Sequence, residues 1–481
     1  MKNGYTVYLH FLIIFIVSVF SGSAAEERDQ GFSWQMMKYI DQIKVKPGMF
    51  YNPRLIKLIY ITDSEIVEAK WKSRDNIEQL LNSIGSAHNH GLRPGDYHTL
   101  EINSIIARNN PPEMMSIIDS VRLELLLTDS FLLLSAHMAA GKIDQDIMAP
   151  RWTASGIMPD QDWKLFLEIS LEDSQVFENI DHLAPKHSMY VKLKEGLKKY
   201  RNNEITSVDE EILMIKTNLD RWRALGHPGD HFIMVNIPGF ELNVTRNGST
   251  MITSRVIVGQ PENQTPAFSS YLTEVEFNPY WIIPPGMLNR EIIPAIAEDV
   301  EYLEDNNMEV LDEDWEPVDP GEIDWDEWTD NRSGDDDDFP YIIRQRPGLE
   351  NEMGTIKFLL PNPWYVVIHD TPHRHLFEHA NRAYSSGCIR IEMHLMLAEY
   401  VLEEHTMAEV LDFVYSQEFM QAEIQNSLPV HIVYITTWTD DDGELQFLQD
   451  IYDLDGPMIN TLKQFPAWQD RWFSLKHTQS D

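Results

Sequence analysis

Residues 365–390 read YVVIHDTPHRHLFEHANRAYSSGCIR. The apolar run Tyr365-Val366-Val367-Ile368 ends at His369, and the small-residue turn Ser385-Ser386-Gly387-Cys388 carries the only cysteine among 481 residues. A thiol is a strong nucleophile as its thiolate, and a neighbouring histidine can take its proton and form an ion pair. A strand predicted over 365–368 would hold His369 rigidly. Gly387 permits a tight turn and close substrate approach. Backbone N–H groups in such a turn can face a developing oxyanion. Arg390 can bind a substrate carboxylate or fix the loop, and spacing leaves a surface ion pair equally open. His373, His375 and His379 lie between base and nucleophile without an assigned role. They follow no recognised zinc spacing, so no metal site is expected.

The rest of the chain favours a working thiol over an inert one. Lys2, the apolar run 11–20 (FLIIFIVSVF) and the small residues 21–25 form the pattern of a secretion signal. Ten apolar residues are too few to span a bilayer comfortably, so export to an oxidising compartment is expected. A single cysteine cannot form an internal disulfide there. The net charge of -39 repels nucleic-acid phosphates and anionic lipid headgroups, which argues against both as partners. A hydrophobic content of 43% fits a globular protein with a sizeable core.

Hydrophobic periodicity divides the chain near Gly229. Before it the spacing is helical: Ile77, Leu80, Leu81 and Ile84 on one segment, the run 121–140, then Ile212, Ile215, Leu219 and Trp222. Asp96, Asp129, His90 and His137 in this half are read as caps and surface groups. After Gly229 the segments are short and β-branched: 231–235, 240–244, 250–258, 273–278, 280–283, 356–360, 365–368 and 430–436. Residues 285–350 differ again. Acidic runs, including Asp335 to Asp338, surround Trp315, Trp325 and Trp328. Exposed tryptophans on a mobile insertion predict a lid.

With these residues in view, His369-Asp370-Thr371-Pro372 and the run Arg382 to Arg390 resemble the catalytic motif of the L,D-transpeptidases, the YkuD-type cysteine enzymes of peptidoglycan. More narrowly, they resemble the long periplasmic members of Gram-negative bacteria. Shorter members usually carry His before the Gly-Cys pair and Asn two residues after the cysteine. Here those positions are Ser386 and Arg390. The segments 89–98, 125–129 and 218–223 resemble the helical scaffold of that subgroup, and 256–259 and 277–285 resemble its catalytic strands. Many long members carry a small peptidoglycan-binding module between the helix ending near Tyr200 and the one beginning near Val208. Only Arg201 to Ser207 joins them here.

The resemblance implies an α+β multidomain protein: signal peptide 1–25, helical scaffold 26–228, mostly-β catalytic domain 229–455 with the lid 285–350, and a tail 456–481. It implies Cys388 as nucleophile, His369 as general base, Gly387 at the oxyanion hole, and Ser385, Ser386 and Arg390 lining the site. The implied reaction joins stem peptides 3→3 through a thioester. A tetrapeptide stem is the donor, a diaminopimelate amine the acceptor, and no cofactor is needed. A periplasmic monomer without a transmembrane segment after signal removal is expected. Two alternatives stay open: a cysteine peptidoglycan hydrolase or protein-to-wall attachment or detachment enzyme, and a non-catalytic wall-binding scaffold.

Overall fold

The computed structural model describes residues 22–43, 52–61, 67–109, 115–143, 160–202, 209–329, 339–439 and 444–463. Most of the expected signal peptide, the Asp335–Asp338 run and most of the 201–207 connection lie outside them. The chain divides into two compact units. The first runs up to His227 and regains the chain at Thr436–Leu448 and from Leu454 onward. The second is Pro228–Ile435 with Gln449–Asp453.

The first unit is mostly helical, as its periodicity predicts, with one two-stranded sheet (Thr437–Thr439 and Leu445–Phe447), and is built around the helix Ile117–Ala140. Ser116 caps its start by accepting the Asp119 N–H, and Gly141 ends it at φ 87°. Fifteen of its residues are buried, polar ones included, so it runs through the core rather than over it. That is why Asp129 and His137 are not surface groups, and His90, at the end of the short helix Ala87–His90, is buried as well. Asp129 accepts from His98 Nε2 at 2.7 Å. His137 Nδ1 meets the Tyr97 hydroxyl at 3.1 Å, and His90 Nδ1 meets Tyr190 at 2.8 Å. The Asp96 carboxylate is enclosed too, paired with Lys142 at 2.6 Å. A central helix buries its polar face as well as its apolar one, and each buried polar group then needs a partner.

The same holds for the helix Asp209–Leu225. Asp220 accepts the Lys142 and Ile143 N–H groups and pairs with Arg223, and Arg221 Nη1 donates to Asp455 at 2.5 Å. The first residues of the expected tail are helical, Asp455–Lys463, with Met458 packed against Ile143 and Ala224. No helix among the described residues is long and apolar enough to cross a membrane.

The second unit is a sheet closed on itself. Its strands are β1 (His231–Asn236), β2 (Glu241–Arg246), β3 (Ser249–Gly259), β4 (Phe268–Phe277), β8 (Ile356–Leu359), β9 (Ile368–His369), β10 (Ala383–Ser385), β11 (Ile389–Ile391) and β12 (Met420–Val433). They order β10-β3-β11-β9-β8-β4-β12-β1-β2, and β2 pairs back onto β3. Closure removes the free edges that an open sheet would expose. The apolar run before His369 is less regular than predicted. Tyr365 sits at φ 56° and is 89% exposed, and only Ile368 and His369 pair as strand. Asn362 explains this: its Oδ1 accepts the Trp364 and Val366 N–H groups, so the chain turns before it extends.

The described part of the acidic insertion is folded. β5 (Trp281–Ile282), β6 (Met308–Leu311) and β7 (Ile342–Gln345) form a separate sheet, order β5-β7-β6. Its core includes Trp281, Ile293, Ile296, Val310, Ile343 and Trp325. Trp325 is buried, its indole N–H donating to the Pro320 carbonyl at 2.9 Å, and Phe339 packs against Trp325 and Trp328. Of the three tryptophans expected to be exposed, only Trp315 is, at 50%. The sequence shows how acidic the stretch is, but not that its apolar residues meet.

Candidate active site

Three strands bring the motif together. β9 pairs with β11 in parallel, Ile368 opposite Ile389 and His369 opposite Arg390. β8 flanks β9 on the other side, antiparallel, with Lys357 opposite His369. The Ile389 N–H donates to the Val367 carbonyl at 3.0 Å, so Cys388 lies level with Val367. Side chains two apart on a strand share a face. His369, Arg390 and Cys388 therefore face the same way. From strand spacing and rise, the α-carbons of His369 and Cys388 lie about 8 Å apart, a gap that two side chains can close. The other face of these strands holds Ile356, Phe358, Ile368, Ile389 and Ile391, all buried.

His369 is 3% exposed. Its Nδ1–H donates to the Asp370 carbonyl at 2.5 Å, and because a carbonyl can only accept, the neutral ring keeps Nε2 free of hydrogen. Burial, reinforced by the Arg390 cation, pushes its pKa down to about 3. Cys388 is half-buried, and burial pushes its thiol up. A Val367 N–H, Arg390 and Lys357 pull it back. Both shifts favour a neutral thiol and a neutral imidazole over the thiolate–imidazolium pair that the sequence permits.

The turn holding Cys388 is braced at both ends. The Ser385 hydroxyl donates to the Cys388 carbonyl at 2.6 Å and accepts the Gly387 N–H at 3.2 Å. Gly387 adopts φ 117°, a region that strains any other residue. Thr265, which the sequence did not single out, fixes the next peptide. Its Oγ1 donates to the Gly387 carbonyl and accepts the Gly259 N–H, both at 2.8 Å. Tyr452 holds that loop in turn, its hydroxyl donating to the Gly259 carbonyl at 2.5 Å and accepting the Thr265 N–H at 3.2 Å. A trans peptide points N–H opposite to C=O. With the Gly387 carbonyl tied to Thr265, the Cys388 N–H is aimed away from it. Ser386 is exposed beside the turn.

Asp370 organises the base side. One carboxylate oxygen accepts the Thr355 N–H and hydroxyl, each at 3.0 Å, and the other accepts from Arg374 at 2.5 Å. Gly354 sits at φ 65°, where a Cβ would come within 2.5 Å of the Asp370 side chain. Arg390 is largely buried, which lowers its pKa, and faces Glu352 at 3.6 Å. Glu352 also meets His373 Nε2 at 3.0 Å, and His379 Nδ1 meets the Tyr384 hydroxyl at 2.9 Å. His379 thus bonds within the loop, His373 ties the loop to Glu352 outside it, and His375 packs edge-on against His373.

A buried histidine and a lone thiol thus lie on adjacent parallel strands, and comparison with known proteins places these residues within a known family. Residues 230–412 match the YkuD family, described as the L,D-transpeptidase catalytic domain, and residues 49–197 match the Scaffold domain. The chain carries a YkuD L,D-transpeptidase catalytic domain together with a Scaffold domain. A Haemophilus influenzae protein named "Putative L,D-transpeptidase" is 33% identical over 291 residues, 60% of this chain and 56% of that protein. The match thus spans little more than half of that relative's length. Among solved structures, the Ldtfm–avibactam carbamoyl enzyme is 13% identical with a TM-score of 0.20, over 42% of this chain and 49% of that one. Mycobacterium tuberculosis L,D-transpeptidase 1 is 12% identical with a TM-score of 0.16, over 43% of this chain and 63% of its own.

Proposed function

We propose that this protein forms 3→3 cross-links in peptidoglycan through a thioester on Cys388. His369 Nε2 takes the thiol proton as Sγ attacks the carbonyl of the third residue of a tetrapeptide stem, meso-diaminopimelate. The oxyanion faces the Cys388 N–H, while the Gly387 N–H, which the family resemblance also implies for the oxyanion hole, is held by the Ser385 hydroxyl in the resting turn. On collapse the C–N bond breaks, the leaving D-alanine amine takes the proton from His369, and the acyl group stays on sulfur. The side-chain amine of a second stem then attacks the thioester, loses its proton to His369, and expels the thiol. Ser385 braces the turn, while Ser386 and Arg390 line the acyl site. No cofactor enters. The reaction requires export to the periplasm, in keeping with the leader-like sequence at 1–25, and we take the protein to act there as a monomer. We assign catalysis to 229–455, with 285–350 as the lid, and support to the helical domain 26–228.

The observation that carries this reading is the register of β9 and β11. It sets the only thiol of the chain beside a buried, neutral histidine inside the YkuD match. The test is acylation by a carbapenem followed by intact mass. One covalent adduct on the wild type and none on Cys388→Ala are expected. No adduct on the wild type, or an adduct on the variant, would refute the assignment. Muropeptide analysis of sacculi incubated with the enzyme reads the acceptor: new 3→3 dimers support transpeptidation, and loss of cross-links without new ones refutes it.

A further inference from the structure

We propose that Lys357 is an electrostatic positioning residue for Cys388, and that Glu276 sets how much of its charge reaches the thiol. This rests on Cys388 being the nucleophile, as proposed above. The register places four polar residues in one row across the sheet. Glu276 on β4 lies opposite Lys357 on β8, Lys357 opposite His369 on β9, and His369 opposite Arg390 on β11. In β8 and β11 these positions alternate with buried apolar ones, so the row shares one face. The histidine is thus bracketed by two cations on its neighbouring strands.

Both cations are largely desolvated, with 19% of the Lys357 side chain and 17% of Arg390 exposed. A charge out of water carries farther than an exposed one. Each has a carboxylate partner. Lys357 Nζ meets Glu276 at 2.9 Å, and Arg390 meets Glu352 at 3.6 Å. Glu352 is shared with His373, and Glu274, two residues before Glu276, lies opposite Glu423 on β12. The charged and titratable groups around the row are His369 with Asp370 and Arg374, Arg390 with Glu352 and His373, and Lys357 with Glu276, Glu274 and Glu423.

The bland account of Lys357 is a cross-strand ion pair, which typically contributes little. Its place in the row adds a role. A cation beside His369 favours thiolate at Cys388 and disfavours imidazolium at His369. The proton lost by sulfur is then held weakly and passed on readily to the departing amine. Glu276 tempers the same field.

Because Cys388 is the only cysteine, alkylation by uncharged iodoacetamide reads its ionisation directly. Rates against pH are compared for wild type, Lys357→Met, Lys357→Arg and Glu276→Gln. We expect Lys357→Met to move the thiol profile up by roughly 0.5–1 pH unit. Lys357→Arg should leave it in place, and Glu276→Gln should move it down. Lys357→Met and Glu276→Gln break the same ion pair, so a structural role would move both in one direction. Such parallel shifts, or no shift, would overturn the proposal. A thiol unreactive in the wild type would overturn it together with the nucleophile assignment, whereas a reactive thiol with unmoved profiles overturns this proposal alone.

Discussion

Thr265→Val tests whether the acyl site depends on one hydroxyl outside the motif. Valine has nearly the same shape, so packing changes little, but it can neither donate nor accept. The Thr265 hydroxyl satisfies two buried backbone groups, the Gly387 carbonyl and the Gly259 N–H. Each orphaned group costs about 1–3 kcal/mol, so the loss of stability from the two should be roughly 2–6 kcal/mol. Tyr452 still holds the loop through the Gly259 carbonyl and the Thr265 N–H, so the variant should fold. The larger effect is on rate. Once the Gly387 carbonyl is released, the Gly387–Cys388 peptide can rotate and the Cys388 N–H loses its aim. Loss of one oxyanion donor typically costs about 100- to 1,000-fold in rate. A partial loss of aim should cost at least about tenfold in carbapenem acylation, well below the temperature at which the variant melts. Thr265→Ser keeps the hydroxyl and should retain most of the rate. Urea unfolding and time-resolved intact mass give both numbers. A Thr265→Val protein within about 0.5 kcal/mol of wild type and acylated at the wild-type rate would refute the reasoning.

Gly354→Ala should destabilise by about 3 kcal/mol or more, because the new Cβ meets Asp370 at 2.5 Å and the backbone is held at φ 65°; urea midpoints check this, and a loss under about 1 kcal/mol would show that the loop gives way. In the helical unit, Asp455→Ala leaves Arg221 facing a buried void and should cost about 3–5 kcal/mol, while Arg221→Met combined with Asp455→Leu should recover most of it by the same assay. The pH dependence has a definite sign. His369 titrates near 3 when folded but near 6.5 when unfolded, so the unfolded state binds more protons between these values. Its contribution is complete above about pH 6.5 and is lost as pH falls toward 3, roughly 3 kcal/mol between pH 7 and 4. The fall in urea midpoint over that range should be visibly shallower in His369→Gln.

The helical half and the strands after Gly229 were legible because their periods differ, and the Ser-Gly-Cys turn because its residue types are unusual together. Other features depend on partners distant in sequence. Nothing near Thr265 in the chain marks it, since its acceptor lies at Gly387, 122 residues on. Glu276 and Lys357 are unremarkable until β4 and β8 pair. Asp129 and His137 sit on a helix rich in leucine, and only burial on all sides turns them from surface groups into buried ones. The insertion misleads in the other direction, because composition counts its acids while folding gathers its apolar residues.

The neutral resting pair constrains how the thiol is activated. A thiol raised by burial and a base lowered by burial and Arg390 do not exchange a proton spontaneously. If Cys388 is the nucleophile proposed above, ionisation is coupled to attack, when sulfur's charge passes into an oxyanion facing the Cys388 N–H. The site then spends little time as free thiolate, which suits the only cysteine of a chain expected to be exported, because thiolates are what oxidants attack. The same arrangement makes the imidazolium a strong acid once formed, able to protonate the leaving amine. Burial that slows the unassisted thiol thus speeds the second half of the step. An alkylation profile rising only above the ordinary thiol range in the free enzyme, with acylation by a carbapenem already fast at pH 7, is the signature expected of this design. If alkylation instead levels off well below that range, the thiol rests as an ion pair with His369 and ionisation precedes attack.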